Sequence, residues 1–413
     1  DKATPDQIAA VRELGLRGVY VISRQYRYYP SRSLGSHLVG FVGVNETTPE
    51  PAGLYGIEKR EDAVLAEGAD VHATVDWNLQ SRAEQVLQGL MEEYEATGGT
   101  VIIQEPATGK ILAMASKPDF DPNEYKESSL ASFINPAVQY VYEPGSVMKS
   151  ITMAAGISLG AFTSSTRYVD TGSITLNRRT ITNYDRKAYG KATMTNVLEH
   201  SINTGAVFAE QQIGHDRFFD SLKNFGFGAR TGIGLVPDEV AGDMDNLESR
   251  GARAIDFATA SFGQGIAVTP LQLVTAYSVI ANGGLLMKPY LARDEEPYVV
   301  RRVIDADAAR DVTGMLELTV RSAKVAVIEG YRVAGKTGTA LIPGKGGYTE
   351  EMIHTFVGFA PASNPKAAIL VKLDQPSVGE LAGLTVVPAF RDLMQFTLNH
   401  YRIPPDNVGT LQP

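Results

Sequence analysis

Strand-forming runs occur at two places far apart in this chain, and the roughly 200 residues between them read mainly as helix. The first pair is Thr100–Gln104 and Lys110–Ser116, separated by a turn through Pro106 and Gly109, which predicts a β-hairpin. The second group is Tyr331–Leu341, Thr355–Ala360 and Ala367–Leu373. Residues from about 146 to 322 carry mostly helical spacing, with loops at Gly226–Gly234 and Gly263–Gly265. The economical solution is an α/β fold in which both ends build one antiparallel sheet and a helical lobe is inserted between them.

Helices are expected to flank that sheet. Asp76 is a suitable N-cap, and Leu79, Ala83, Val86, Leu87, Leu90, Met91 and Tyr94 recur on one helical face until Gly98-Gly99 ends the element. A last helix is predicted from about Pro388 to Tyr401. The first 75 residues differ in character. Gly18–Tyr29 reads as a strand, Ser31–Gly43 as a short helix, and Gly53–Lys59 starts a second helix. No nucleophile–base pair occurs there, so residues 1–75 are expected to be a smaller structural α+β domain and residues 76–413 the catalytic one.

Composition excludes several chemistries. The 413 residues contain no cysteine, which removes disulfides, thiol nucleophiles and thiolate metal sites. A net charge of −9 supplies no basic stripe for nucleic acid. No run approaches the length of a membrane span; the apolar stretch from Ala367 stops at Lys372. The first residue is Asp1, so the chain is expected to begin within a longer protein whose targeting or anchoring segment lies upstream.

Three short motifs carry the chemistry. Glu143-Pro-Gly-Ser146-Val-Met-Lys149 leads into a strongly apolar helical run, placing Ser146 at a helix N-terminus and Lys149 one turn on, on the same face. A serine hydroxyl needs an adjacent base, and a lysine serves once burial disfavours its charge. Ser-x-x-Lys alone is a weak signal: Ser363-Asn-Pro-Lys366 repeats it, although Pro365 predicts a loop there. Ser201-Ile-Asn203 is a second motif, which in isolation reads as a helix end or turn. In the third, Lys336-Thr-Gly-Thr339, a strand would put Lys336 and Gly338 on one face and Thr337 and Thr339 on the other. Gly338 is expected to admit a ligand close to the backbone, Lys336 and the hydroxyls suit a carboxylate, and the Thr339 N–H is a candidate oxyanion donor.

In this order the three motifs resemble the set of the penicillin-recognising serine enzymes. Ser261-Phe-Gly-Gln-Gly-Ile-Ala-Val-Thr-Pro-Leu-Gln272, Val333–Thr339 and Phe356-Val-Gly-Phe-Ala-Pro361 look like the transpeptidase domain of class B penicillin-binding proteins. Arg27-Tyr-Tyr-Pro30 and Gly53-Leu-Tyr-Gly-Ile-Glu58 look like that class's pedestal. The resemblance spans nearly the whole chain. It implies a penicillin-binding/β-lactamase-like fold and a D,D-transpeptidase that cross-links peptidoglycan stem peptides through a Ser146 acyl-enzyme.

By the same resemblance Lys149 is the general base, Ser201 relays the proton and Asn203 positions the donor stem. Lys336, Thr337, Gly338 and Thr339 bind the substrate carboxylate. No cofactor or metal is implied. The implied partners are stem peptides on lipid-linked glycan strands, β-lactam antibiotics and a SEDS-type glycan polymerase. The implied setting is the outer face of the bacterial cell membrane, through an N-terminal anchor absent from this sequence. The Glu-Pro-Gly-Ser form and the Thr355-Phe-Val-Gly-Phe359 segment look more like the division or sporulation branch than the elongation branch.

Competing readings are weaker. Gly330–Thr337 matches a phosphate-loop pattern, but Gly338, Pro343, Gly344, Gly346 and Gly347 leave no helix to follow it. Asp170-Thr-Gly-Ser173 spells an aspartic-protease loop without the second copy that chemistry needs. The six histidines show no metal-ligand spacing, and His200 draws interest only by adjoining Ser201. A β-lactamase, a β-lactam sensor or an inactive wall-binding scaffold on the same fold is opposed by the pedestal motifs or by the intact Ser146, Lys149 and Lys336.

Overall fold

The structure, a computed structural model, describes residues 3–22, 26–45, 48–236, 238–379 and 381–406. Its centre is a five-stranded antiparallel sheet ordered Ala334–Gly344, Gly347–Ala360, Ala367–Asp374, Gly98–Gln104, Ile111–Lys117. Both ends of the catalytic region therefore meet in one sheet, joined where Val371 pairs with Val101. The two central strands are apolar on both faces because helices cover both sides, and Val101, Ile102, Ile103, Ile369, Leu370 and Val371 are fully buried.

One layer consists of the Trp77–Tyr94 and Val386–His400 helices. Asp76 caps the first by accepting the N–H groups of Asn78 and Leu79, and Leu79, Ala83, Leu87 and Leu90 turn inward. Each buried leucine contributes about 1.5–3 kcal/mol. The helix stops at Tyr94 with Glu95 in the left-handed region. Gly98-Gly99 open the next strand instead of ending the helix. Their bare backbone admits neighbours: a Cβ on Gly99 would meet Leu87 and the Lys372 carbonyl at 2.7 Å.

The opposite layer is the inserted lobe. Its central Pro270–Ala281 helix is buried on all sides, as its apolar sequence requires. Met148–Ser158 and Ala306–Ala323 pack on it, and Asn203–Ile213 and His215–Asn224 pack in turn on Met148–Ser158. The lobe is less purely helical than its spacing suggests. Arg167–Asp170 pairs with Gly190–Thr193, and Ser173–Leu176 forms a hairpin with Arg179–Thr182. These strands have four residues each, too short for a period-two pattern to stand out.

The strand expected over Gly18–Tyr29 does not form among its described residues; Ser23–Gln25 lie outside them. Tyr20 is 83% exposed there. Strand propensity needs a partner edge, and the small N-terminal sheet pairs Val42–Asn45 with Thr48–Gly53 instead. The two pedestal-like motifs do meet: Arg27 Nε lies 2.6 Å from Glu58 Oε1. Tyr29 and Phe41 share an aromatic cluster with Phe120 and Phe133, so this part of the first 75 residues packs directly on residues that follow Asp76. Among the described residues no helix is long and apolar enough to cross a membrane.

Candidate active site

Ser146 lies in a short 3-10 turn, Gly145–Val147, that runs straight into the Met148–Ser158 helix. Gly145 has φ +61°, a left-handed conformation that costs least at glycine. Its N–H donates to the Gly263 carbonyl at 3.0 Å, tying the serine turn to the Ser261–Gly265 loop. A Cβ on Gly263 would lie 2.1 Å from the Gly145 carbonyl oxygen, so both glycines are required for this approach. Tyr277 braces the turn from the central helix, its hydroxyl 2.8 Å from the Val147 carbonyl.

Lys149 is completely buried. Its Nζ lies 3.0 Å from Ser146 Oγ, 2.7 Å from the Ser201 carbonyl, 3.0 Å from Ser201 Oγ and 2.8 Å from Asn203 Oδ1. No carboxylate pairs with it among the described residues. Burial, and secondarily the charge of Lys336, hold its pKa well below the ordinary lysine value. That is the direction a base requires.

Ser201 sits between the Met194–Glu199 and Asn203–Ile213 helices at φ +53°. The expectation of a helix-end turn is met. A non-glycine residue in this region costs about 1–3 kcal/mol and is characteristic of functional sites. The conformation directs both the carbonyl and the hydroxyl of Ser201 at Lys149. The Asn203 side-chain N–H donates to the Thr182 carbonyl at 2.9 Å, which turns its oxygen towards Lys149.

Lys336 enters from the edge strand of the sheet. It is 2% exposed, with Nζ 3.2 Å from Ser201 Oγ and 3.2 Å from the Thr337 carbonyl. Burial lowers its pKa to about 8. Thr337 and Thr339 lie on the other strand face, as alternation requires. The Thr339 hydroxyl accepts the Ala382 N–H at 3.4 Å. Gly338 serves a purpose other than the expected ligand approach: a Cβ there would meet the Pro144 carbonyl at 2.9 Å and Val147 at 3.1 Å. Its missing side chain is filled by the protein's own serine turn, which presses the Ser146 turn against the edge strand.

All three motifs therefore converge on one site. The remaining candidates disperse. Ser363 is in a turn, bonded to Asp406 Oδ2 at 2.5 Å. The phosphate-loop pattern runs into a strand that continues to Gly344. His200 stacks on Tyr189 with ring centroids 5.2 Å apart. Asp170 is buried, with no second carboxylate beside it among the described residues. Glu143 was legible in the first motif, but its work was not. Its carboxylate accepts the Gly265 N–H at 2.8 Å and the Tyr348 hydroxyl at 2.9 Å, joining the serine turn to the hairpin of the Lys336 strand.

A serine with a buried lysine at its side, a second hydroxyl–amide motif and a cationic strand edge define a serine acyltransferase of the penicillin-recognising class. The family model "Penicillin binding protein transpeptidase domain" matches residues 99–395. Stage V sporulation protein D of Bacillus subtilis is 31% identical over 98% of this chain and 68% of its own length. "Probable peptidoglycan D,D-transpeptidase PbpC" of Pseudomonas aeruginosa is 33% identical over 98% of this chain and 76% of its own. "Peptidoglycan D,D-transpeptidase FtsI" of Escherichia coli is 29% identical over 99% and 73%. The chain belongs to the penicillin-binding protein transpeptidase family, and the sporulation name of one relative agrees with the branch expected from Glu-Pro-Gly-Ser.

Proposed function

We propose that this protein is a peptidoglycan D,D-transpeptidase that cross-links stem peptides through an acyl-enzyme on Ser146 and is acylated there by β-lactams. The observation that carries the reading is the environment of the Lys149 amine. A neutral amine has two N–H donors and one lone pair. The Ser201 carbonyl and Asn203 Oδ1 only accept, so they take both donors and leave the lone pair for the Ser146 hydroxyl 3.0 Å away.

In the acylation step Lys149 takes the Ser146 proton while Oγ attacks the carbonyl of the penultimate D-Ala. The C–N bond to the terminal D-Ala then breaks, and the proton passes to the leaving amine, with Ser201 as relay. An amine of a neighbouring strand next attacks the ester, forming the cross-link and returning the proton to Ser146. Lys336 holds the terminal carboxylate of the donor, assisted by Thr337 and Thr339. Because the Thr339 hydroxyl accepts from Ala382, its own hydrogen is left to donate to that carboxylate. Gly338 contributes by letting the strand lie against the serine turn. The backbone N–H groups of Ser146 and Thr339 are the oxyanion donors.

Residues 1–75 act as a pedestal and 76–413 as the transpeptidase domain, with the aromatic cluster around Phe41 as their junction. The setting is the outer face of the cytoplasmic membrane, with an anchor upstream of this sequence and a SEDS-type glycan polymerase as partner. The deciding experiment is incubation with a fluorescent penicillin followed by peptide mapping. Label on the peptide containing Ser146 is expected; label elsewhere, or none, refutes the assignment.

A further inference from the structure

Asp170-Thr-Gly-Ser173 resembles an aspartic-protease loop in spelling only, yet the structure spends an unusual number of hydrogen bonds on it. The Asp170 side chain ends the Arg167–Asp170 strand and is 2% exposed. One oxygen accepts the Gly172 N–H at 2.9 Å and the Thr204 hydroxyl at 2.6 Å. The other accepts the Asn183 side-chain N–H at 2.9 Å and the Tyr189 N–H at 2.8 Å. No lysine or arginine pairs with it among the described residues. A buried carboxylate held only by neutral donors is expensive unless every lone pair is used, and here four donors use them.

Those donors lead to the acyl-transfer site. Thr204 follows Asn203 directly, and its N–H donates to Asn183 Oδ1 at 3.2 Å. The residue before Asn183 is Thr182, whose carbonyl accepts the Asn203 side-chain N–H at 2.9 Å. Residues 182 and 183 thus form a cradle for residues 203 and 204, and Asp170 grips one member of each pair. Asn203 needs such a cradle. Its amide has to present oxygen, not N–H, to Lys149; a reversed amide would face the amine with a donor and compete for the lone pair that serves Ser146.

We propose that Asp170 is a positioning residue for acyl transfer: its buried carboxylate holds Thr204 and Asn183, and through them fixes the Asn203 side chain against Lys149. This rests on the assignment of Asn203 to the acyl-transfer machinery. Asp170 touches neither the serine nor the lysine, and acts only through the cradle.

The test is a double-mutant cycle on the second-order rate constant for acylation by a fluorescent penicillin, at a temperature where thermal melts show every variant folded. Asp170→Asn keeps the volume but replaces one acceptor oxygen by an N–H donor, set either against the Gly172 N–H with the Thr204 hydroxyl forced to reverse, or against the donors of Asn183 and Tyr189. It is expected to slow acylation about tenfold or more, since misplacing a positioned group by about 1 Å can cost 100-fold. Asn203→Ala is expected to slow it comparably. In the Asn203→Ala background Asp170→Asn should add less than about threefold, because contacts acting in series are not additive.

Thr204→Val, which removes the hydroxyl but keeps the shape, should reproduce the loss, and Thr204→Ser should restore the rate to within about threefold of the parent. This pair carries the test if Asp170→Asn does not fold. Equal slowing by Asp170→Asn in both backgrounds would make the carboxylate merely structural and overturn the proposal. So would parental rates for both Asp170→Asn and Thr204→Val. Parental acylation by Asn203→Ala would overturn the role of Asn203 as well, which separates the two failures.

Discussion

Replacing Lys336 by methionine should move the pH dependence of acylation in a direction set by the charge balance of the site. Lys149 and Lys336 both reach Ser201 Oγ, at 3.0 and 3.2 Å, so their nitrogens lie at most 6.2 Å apart. At an effective dielectric near 20, two unit charges at that distance repel by about 2.7 kcal/mol, or about two pKa units. Below about pH 8 Lys336 is charged, and its repulsion helps keep Lys149 neutral. Only neutral Lys149 accepts the serine proton, so acylation falls as pH drops through its pKa. Lys336→Met removes the repulsion, raises that pKa and should shift the acid limb to higher pH by about one to two units.

The alkaline limb tests the other role of the same residue. In the free enzyme Lys336 loses its proton near pH 8, and with it the charge that receives the substrate carboxylate. The parent should therefore show an alkaline fall near that pH, which the methionine variant lacks at its lower absolute rate. The assay is stopped-flow acylation by a chromogenic cephalosporin from about pH 5 to 10, read as the second-order rate constant, which reports the free enzyme. An acid limb within about 0.3 units of the parent's would refute the electrostatic argument.

Lys336→Met should also stabilise the fold. Its pKa is depressed from 10.5 to about 8, so the unfolded chain binds more protons between those values and stability rises with pH across that window. Below about pH 8 the burial cost is fully expressed, and removing it should add up to about 3 kcal/mol at pH 7 in urea titrations; no gain would mean the amine is better solvated than the structure indicates. Ser146→Ala should abolish penicillin labelling while Ser363→Ala, in a turn bonded to Asp406, leaves it intact. The penicilloyl adduct should be long-lived: class A β-lactamases hydrolyse theirs with a dedicated glutamate a few residues ahead of a Leu-Asn pair, and neither Leu176-Asn177 nor Leu398-Asn399 has a glutamate about three residues upstream, while Asn177 is occupied by the Ile255 N–H at 3.1 Å. Intact-mass spectra after a chase should retain the adduct, and its loss within seconds would indicate a β-lactamase. A fragment starting at Asp76 should still be labelled, but with a lower melting temperature, since Phe120 and Phe133 lose the cover of Phe41 and Tyr29; a folded fragment that fails to label would give the pedestal a share in the site.

The sequence alone determined the reacting groups and much of the frame. Ser146 and Lys149 are close in sequence, and a helix brings residues three apart together whatever surrounds them. Strand alternation likewise sets Lys336 apart from its threonines, and the apolar runs near 101 and 369 demand a buried central sheet. Tertiary structure alone decided the rest. That Ser201 takes a left-handed conformation, that Gly338 accommodates the serine turn and that the described residues of Gly18–Tyr29 form no strand depend on neighbours far along the chain. So does the lowering of the Lys149 pKa, because desolvation and the charge of Lys336 are properties of a packed site. Asp170 is the clearest case: its letters suggested a protease, and only folding reveals that its partners are an amide 13 residues away and a hydroxyl 34 away. Local spacing encodes contacts along one element, whereas hydrogen bonds between elements are set by the fold that brings them together.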